Sequence, residues 1–177
     1  MEIVLNEVEK AIKHEMYYLA VVMALTLPDI CSALQSGNGL STGEKYKEWY
    51  RNYLSQKYPR LTDSDCWHLR CGVVHQGRCG HPNMQYSRVI FSVPNPQNNI
   101  FHNNILNDAL NLDAVQFCHD IMEAVREWFK QNHTNPTVQL NIPHMVQYRP
   151  AGMAPYIVGM PVISLKMAPP VRSNFTL

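Results

Sequence analysis

Proline placement divides this chain before anything else does. Seven of the twelve prolines fall at or after position 136, so no helix is expected in the last quarter of the 177 residues. The part before it carries helical periodicity instead. Ile12, Met16, Leu19 and Met23 form one apolar stripe, predicting a single long first helix that Pro28 should end or kink. Asp29 to Leu34 would add a short further turn. Residues 43–56 place Tyr46, Trp49, Tyr50 and Tyr53 on one side of another helix. The next helix should start near Thr62, where Thr62-Asp63-Ser64-Asp65 has capping-box spacing, and stop at Gly77. Helical spacing returns over 112–130 through Leu112, Val115, Cys118, Met122, Val125 and Phe129.

Between these helices, residues 78–105 hold glycine, proline and asparagine around the short run Val89-Ile90-Phe91, as expected of an inserted loop with a hairpin or paired strand. Beyond 135, residues 137–142 and 163–167 alternate as half-buried strands. The expected organisation is a helical domain over 1–135 with its insertion at 78–105, then a Pro-rich extension over 136–177. The fold class is mainly α, with a small β-containing insertion and an irregular or β C-terminal tail.

Composition narrows the setting. The longest apolar run, Leu19 to Leu25, is far short of the ~20 residues that cross a bilayer, and the first residues lack the basic start of a signal peptide. Five cysteines in no regular framework suit a reducing compartment. A soluble cytoplasmic protein with no membrane partner is therefore expected. Net charge is only +1, but residues 45–88 carry eight bases against three acids, and residues 1–44 six acids against two bases. Such asymmetry can focus an anionic ligand on one region.

That basic segment contains Leu69-Arg70-Cys71-Gly72-Val73-Val74-His75-Gln76-Gly77. Arginine is permanently charged and forks onto phosphate oxygens, while histidine gives or takes a proton near neutral pH. Together they form a minimal metal-free kit for RNA cleavage. Cys66, Cys71, His75, Cys79 and His81 lie within sixteen residues, and zinc would accept four such ligands. Their spacing matches no known knuckle, however, and burial of Cys66 and Cys71 as small hydrophobes is the simpler account. A thiol enzyme pairing Cys31 or Cys71 with His75 ranks lower. No Walker loop, dinucleotide fingerprint or HExxH occurs.

The Arg70-x4-His75 pair near the end of a helix resembles the signature of the HEPN superfamily, the nucleotide-binding and ribonuclease domains of prokaryotes and higher eukaryotes. The segments Ala24 to Cys31, Tyr46 to Tyr53 and Leu69 to Gly77 look like uncharacterised bacterial proteins of that type. The resemblance covers roughly residues 1–132 and implies an antiparallel helical bundle. It also implies a metal-independent endoribonuclease of toxin or defence type, acting as a homodimer. RNA would be its substrate, a protein antitoxin a possible partner, and no metal or other cofactor is expected. Many active members carry Asn, Asp or His after the arginine, where this chain has Cys71. The alternative is a non-catalytic module of the same fold that binds a nucleotide or a protein.

Helix geometry supports the dimer independently. Five residues turn through ~500°, leaving Arg70 and His75 roughly 140° and ~7.5 Å apart, so one helix should not bring both onto one phosphate. Two antiparallel copies could, and Gly72 would let two backbones approach closely. His75 would take the proton of a ribose 2′-hydroxyl, and Arg70 would neutralise charge on the phosphate. Asp29 and Ser32 are candidate orienting groups, although Asp29 could instead cap the helix turn after Pro28. Arg51 and Arg78 are further candidates for holding RNA.

Overall fold

The computed structural model describes residues 1–97 and 100–165. The expected long first helix is two helices, α1 (Glu2–Lys13) and α2 (Tyr17–Gln35). Between them Glu15 takes the left-handed conformation, with φ of 59°, which interrupts the right-handed spiral. An apolar stripe is silent about such a break, because its periodicity resumes on the far side.

Helix α1 buries Leu5, Val8 and Ala11 along one face. Helix α2 is apolar on nearly every side and is the core helix, touching α1 and most of the elements described below. By length and composition alone it would suffice to cross a membrane. Its Ala24, Leu25, Leu27 and Cys31 are instead fully buried inside the protein.

Of the two outcomes expected at Pro28, an end or a kink, the end does not occur; α2 runs through it to Gln35, taking in the separate turn expected at Asp29–Leu34. Proline removes one N–H from the helical ladder, the one that would serve the Ala24 carbonyl. At the neighbouring position the Tyr46 hydroxyl donates to the Leu25 carbonyl at 3.2 Å. Asp29 thus sits inside a helix, and its carboxylate is not a cap.

Local capping signals are obeyed more closely. Helix α3 (Gly43–Tyr53) starts after Thr42 and buries Tyr46, Trp49 and Tyr50. Helix α4 (Asp63–Gln76) starts at Thr62, whose hydroxyl oxygen accepts from the Asp65 amide at 3.0 Å. It ends at Gly77, left-handed at φ 64°, whose N–H donates to the Gly72 carbonyl. Helix α5 (Ala114–Asn132) is capped by Asp113 and packs Phe117, Ile121, Val125 and Trp128 into the core.

The insertion between α4 and α5 is larger than expected. Strands β1 (Arg88–Ser92), β2 (Asn104–Leu106) and β3 (Ala109–Asp113) form one sheet in the order β1-β3-β2. β1 lies parallel to β3, with Val89 opposite Leu110, and β2 is antiparallel to β3. Asn107 and Asp108, both at positive φ, make the tight turn that joins β2 to β3. Leu112, expected on the helix, is therefore buried on the central strand. The insertion is tied to the bundle by Asp65, which accepts from the Gln85 amide and side chain at 3.0 and 2.6 Å.

Residues expected as a strand over 137–142 form helix α6 (Pro136–Asn141), followed by one 3-10 turn. Proline at the first helical position is preorganised for a helix, and Asn135 caps it by accepting from the Thr137 amide at 2.9 Å. Val138 is buried in the core, and Asn141 donates to the Leu34 and Ser36 carbonyls at the end of α2. Four short strands follow, β4 (Val146–Arg149), β5 (Gly152–Met153), β6 (Ile157–Val158) and β7 (Val162–Leu165). β4 pairs antiparallel with β7, so the strand expected at 163–167 is present up to Leu165; positions 166 and 167 lie outside the described residues. The chain is mainly helical, with small sheets.

Candidate functional site

Arg70 leaves α4 and meets groups from three directions. Its Nε donates to Asp29 Oδ2 on α2 at 2.7 Å, and its Nη1 lies 2.7 Å from His75 Nε2. Its guanidinium carbon stands 5.1 Å from the ring centre of Trp67, one turn back on α4. The expectation that one helix cannot bring Arg70 and His75 together is thus overturned. An arginine side chain is long enough to run along its own helix, and helical side chains lean toward the N-terminus, which tilts His75 back toward Arg70. The geometric premise for a composite site goes with it, because one protomer completes the pair alone.

Asp29 orients the arginine. With Arg70 and Asp29 side chains only 17% and 16% exposed, the pair is screened from water on most sides. The other carboxylate oxygen accepts from Ser41 Oγ at 3.0 Å, and Ser41 lies 2.6 Å from Ser32 Oγ. Each hydroxyl has one proton. If Ser41 gives its proton to Asp29, Ser32 donates to Ser41 rather than to the Asp29 backbone carbonyl 3.1 Å away, giving a chain that runs Ser32, Ser41, Asp29, Arg70, His75. Both sequence-predicted orienting residues, Asp29 and Ser32, are in this chain.

The Arg70–His75 contact also has a direction. Guanidinium has only donors, so Nε2 of His75 is the acceptor in this contact. His75 is exposed where α4 ends, within reach of a ligand from solvent. Beside it, Tyr18 of α2 donates its hydroxyl to the Val73 carbonyl at 3.3 Å.

Gly72 has a different use from the one expected. The backbone that approaches it belongs to its own chain: a Cβ there would lie 2.7 Å from both the Arg78 and Gly80 carbonyl oxygens. The Gly72 carbonyl also accepts from the Arg78 amide at 3.0 Å, so the loop after α4 is pressed onto the segment between Arg70 and His75. Arg78 begins that loop. Arg51 is not brought to the pair: it is ion-paired with Asp63 in the first turn of α4, about 18 Å along the helix from His75.

The rival constellations fare differently. Cys66 is fully buried against the Tyr46 hydroxyl, and burial pushes its thiol up to about 12. Cys31 is likewise buried and raised by burial, the reverse of an activated thiolate. Among the described residues no group of three or more His, Cys, Asp or Glu is placed to hold a metal ion. His81 instead stacks on His68, with ring centres 4.7 Å apart. Burial, and then the neighbouring His81, lower the pKa of His68.

Ser41 and Trp67 were missed from sequence. The Trp67-x2-Arg70 spacing is a legible aromatic–cation signal at i, i+3. Ser41 carries no local mark, since its partner Asp29 lies on another element. Set against protein-family models, curated proteins and solved structures, the chain matches none.

Proposed function

We propose that this protein is a metal-independent endoribonuclease. The observation that carries this reading is the Arg70–His75 contact: a guanidinium held by Asp29 in direct contact with an exposed imidazole. In the resting site the lone pair of His75 Nε2 is occupied by an Arg70 N–H. A substrate phosphate attracts that N–H more strongly than imidazole does, because the acceptor is charged. Arg70 turns to the nonbridging oxygens, and Nε2 is released to act as a base.

His75 then takes the proton of the 2′-hydroxyl, the O2′–P bond forms and the P–O5′ bond breaks. The nucleophile belongs to the substrate, so proximity supplies much of the rate. Arg70 stabilises charge on the phosphorane oxygens, and Asp29 keeps it aimed. Water, or a second histidine across a dimer, protonates the leaving 5′-oxygen. The products are a 2′,3′-cyclic phosphate and a 5′-hydroxyl. DNA, without the 2′-hydroxyl, is not cleaved. The sequence resemblance to HEPN proteins supports a cytoplasmic, toxin- or defence-type homodimer with a protein antagonist.

One observation favours a second reading, a non-catalytic nucleotide- or protein-binding module. Asp29 already neutralises Arg70, which weakens its pull on phosphate and suits a structural arginine. The two separate on total RNA incubated with EDTA, comparing wild type with Arg70→Ala and His75→Ala. The nuclease requires cleavage by wild type, cyclic-phosphate ends, and loss of at least a hundredfold in both variants. Cleavage that survives both substitutions places the activity elsewhere and refutes the mechanism.

A further inference from the structure

The hydrogen-bonded chain behind Arg70 does not stop at Ser32. Ser32 also lines a polar cleft of about 300 Å³ beside α3, together with Ser36, Lys45, Glu48, Trp49 and Tyr53. Three hydrogen bonds, through Ser41 and Asp29, connect this cleft to the Arg70 guanidinium. Its volume is at the small end of ligand sites, enough for one nucleoside-sized group.

The lining has unspent hydrogen-bonding capacity. Trp49 is 3% exposed, and its Nε1 is a buried donor with no partner. A native structure rarely leaves such a group unmatched unless something else completes it. Lys45 donates to Ser36 Oγ and the Leu40 carbonyl, and an ammonium has a third N–H to give. Glu48, exposed and one helical turn from Lys45, offers a carboxylate. Trp49 and Tyr53 present adjacent rings with centres 5.2 Å apart.

Charge decides what kind of ligand suits this set. Lys45 and Glu48 cancel, so the cleft has no net attraction for a phosphate. A neutral planar group with an acceptor next to two donors fits instead. Guanine has that edge: a carbonyl for Lys45, and a ring N–H beside an exocyclic amine for the two oxygens of Glu48. Adenine presents a ring acceptor where guanine has N–H, cytosine does the same beside its amine, and uracil has only one donor for the carboxylate. We propose that the cleft holds the guanine base of an RNA nucleotide adjoining the scissile phosphate. Its role in cleavage rests on the nuclease reading; its base preference does not.

The test uses the full chain with His75→Ala, so that nothing is turned over, titrated with guanosine, adenosine, cytidine and uridine monophosphates by calorimetry. Guanosine monophosphate should bind about tenfold or more tightly than the others, a margin that Glu48→Gln removes. Glu48 is exposed, so this change leaves folding intact. Wild type should cut a mixed-sequence RNA beside G, and Glu48→Gln should lose that preference. Equal binding of the four nucleotides, or guanosine binding indifferent to Glu48→Gln, overturns the proposal even if cleavage is real. Guanosine selectivity in a protein that cuts no RNA upholds the cleft and defeats the nuclease reading instead.

Discussion

Alanine at Gly72 would set two known effects against each other at the centre of the candidate site. Within a helix, Gly→Ala gains about 1 kcal/mol from propensity. Here the new Cβ would lie 2.7 Å from two backbone carbonyl oxygens, those of Arg78 and Gly80, closer than real Cβ contacts come. Neither oxygen is the end of a flexible side chain, so the loop itself must lift from α4. Overpacking of this kind costs about 1–3 kcal/mol, and the displaced Arg78 amide gives up roughly 1 kcal/mol of hydrogen bond to the Gly72 carbonyl. The net expectation is a loss of about 1–3 kcal/mol, or a Tm lower by roughly 2–12 °C for a chain of this size. Thermal and urea unfolding measure it, with Gly37→Ala as the control because its Cβ would meet nothing within 4 Å. A Gly72→Ala protein as stable as wild type, or more so, would refute the packing argument and the claim that this loop is clamped between Arg70 and His75.

Two further predictions concern buried charge. In a double-mutant cycle of Asp29→Ala and Arg70→Ala, urea unfolding should give a coupling of about 1.5–3 kcal/mol, because both side chains are mostly shielded from water; a coupling below about 0.5 kcal/mol would make it an ordinary surface pair. Burial raises the Asp120 pKa, but hydrogen bonds from Lys57, Tyr58 and Gln116 outweigh it and hold the carboxyl below its usual value. A depressed folded pKa stabilises above the unfolded value of ~3.9, and that contribution disappears as pH falls through the folded one. Asp120→Asn should therefore be about 2 kcal/mol less stable than wild type at pH 7, with the gap narrowing once pH falls below the unfolded value; a gap that stays constant through acid would count against it.

Local chemistry wrote some features of this protein directly into neighbouring residues. Thr62 and Gly77 bound α4 because a cap needs only a hydroxyl three residues from an amide, or a residue free to adopt positive φ. The stripe of Tyr46, Trp49 and Tyr50 identified α3, and the Arg70-x4-His75 spacing identified the pair itself. Other features depend on distant partners. Pro28 stays helical where its helix is the buried centre of the core, packed against α3 and α5. Residues 136–141 have a strand-like alternation, but Asn135 and Pro136 nucleate a helix that Val138 anchors in the core. The angle between Arg70 and His75 on an isolated helix predicts separation; Asp29, forty-one residues earlier, draws the guanidinium to where His75 can meet it. Caps and stripes are short-range and survive in the order of residues, whereas the direction of a long charged side chain is set by which helix packs beside it.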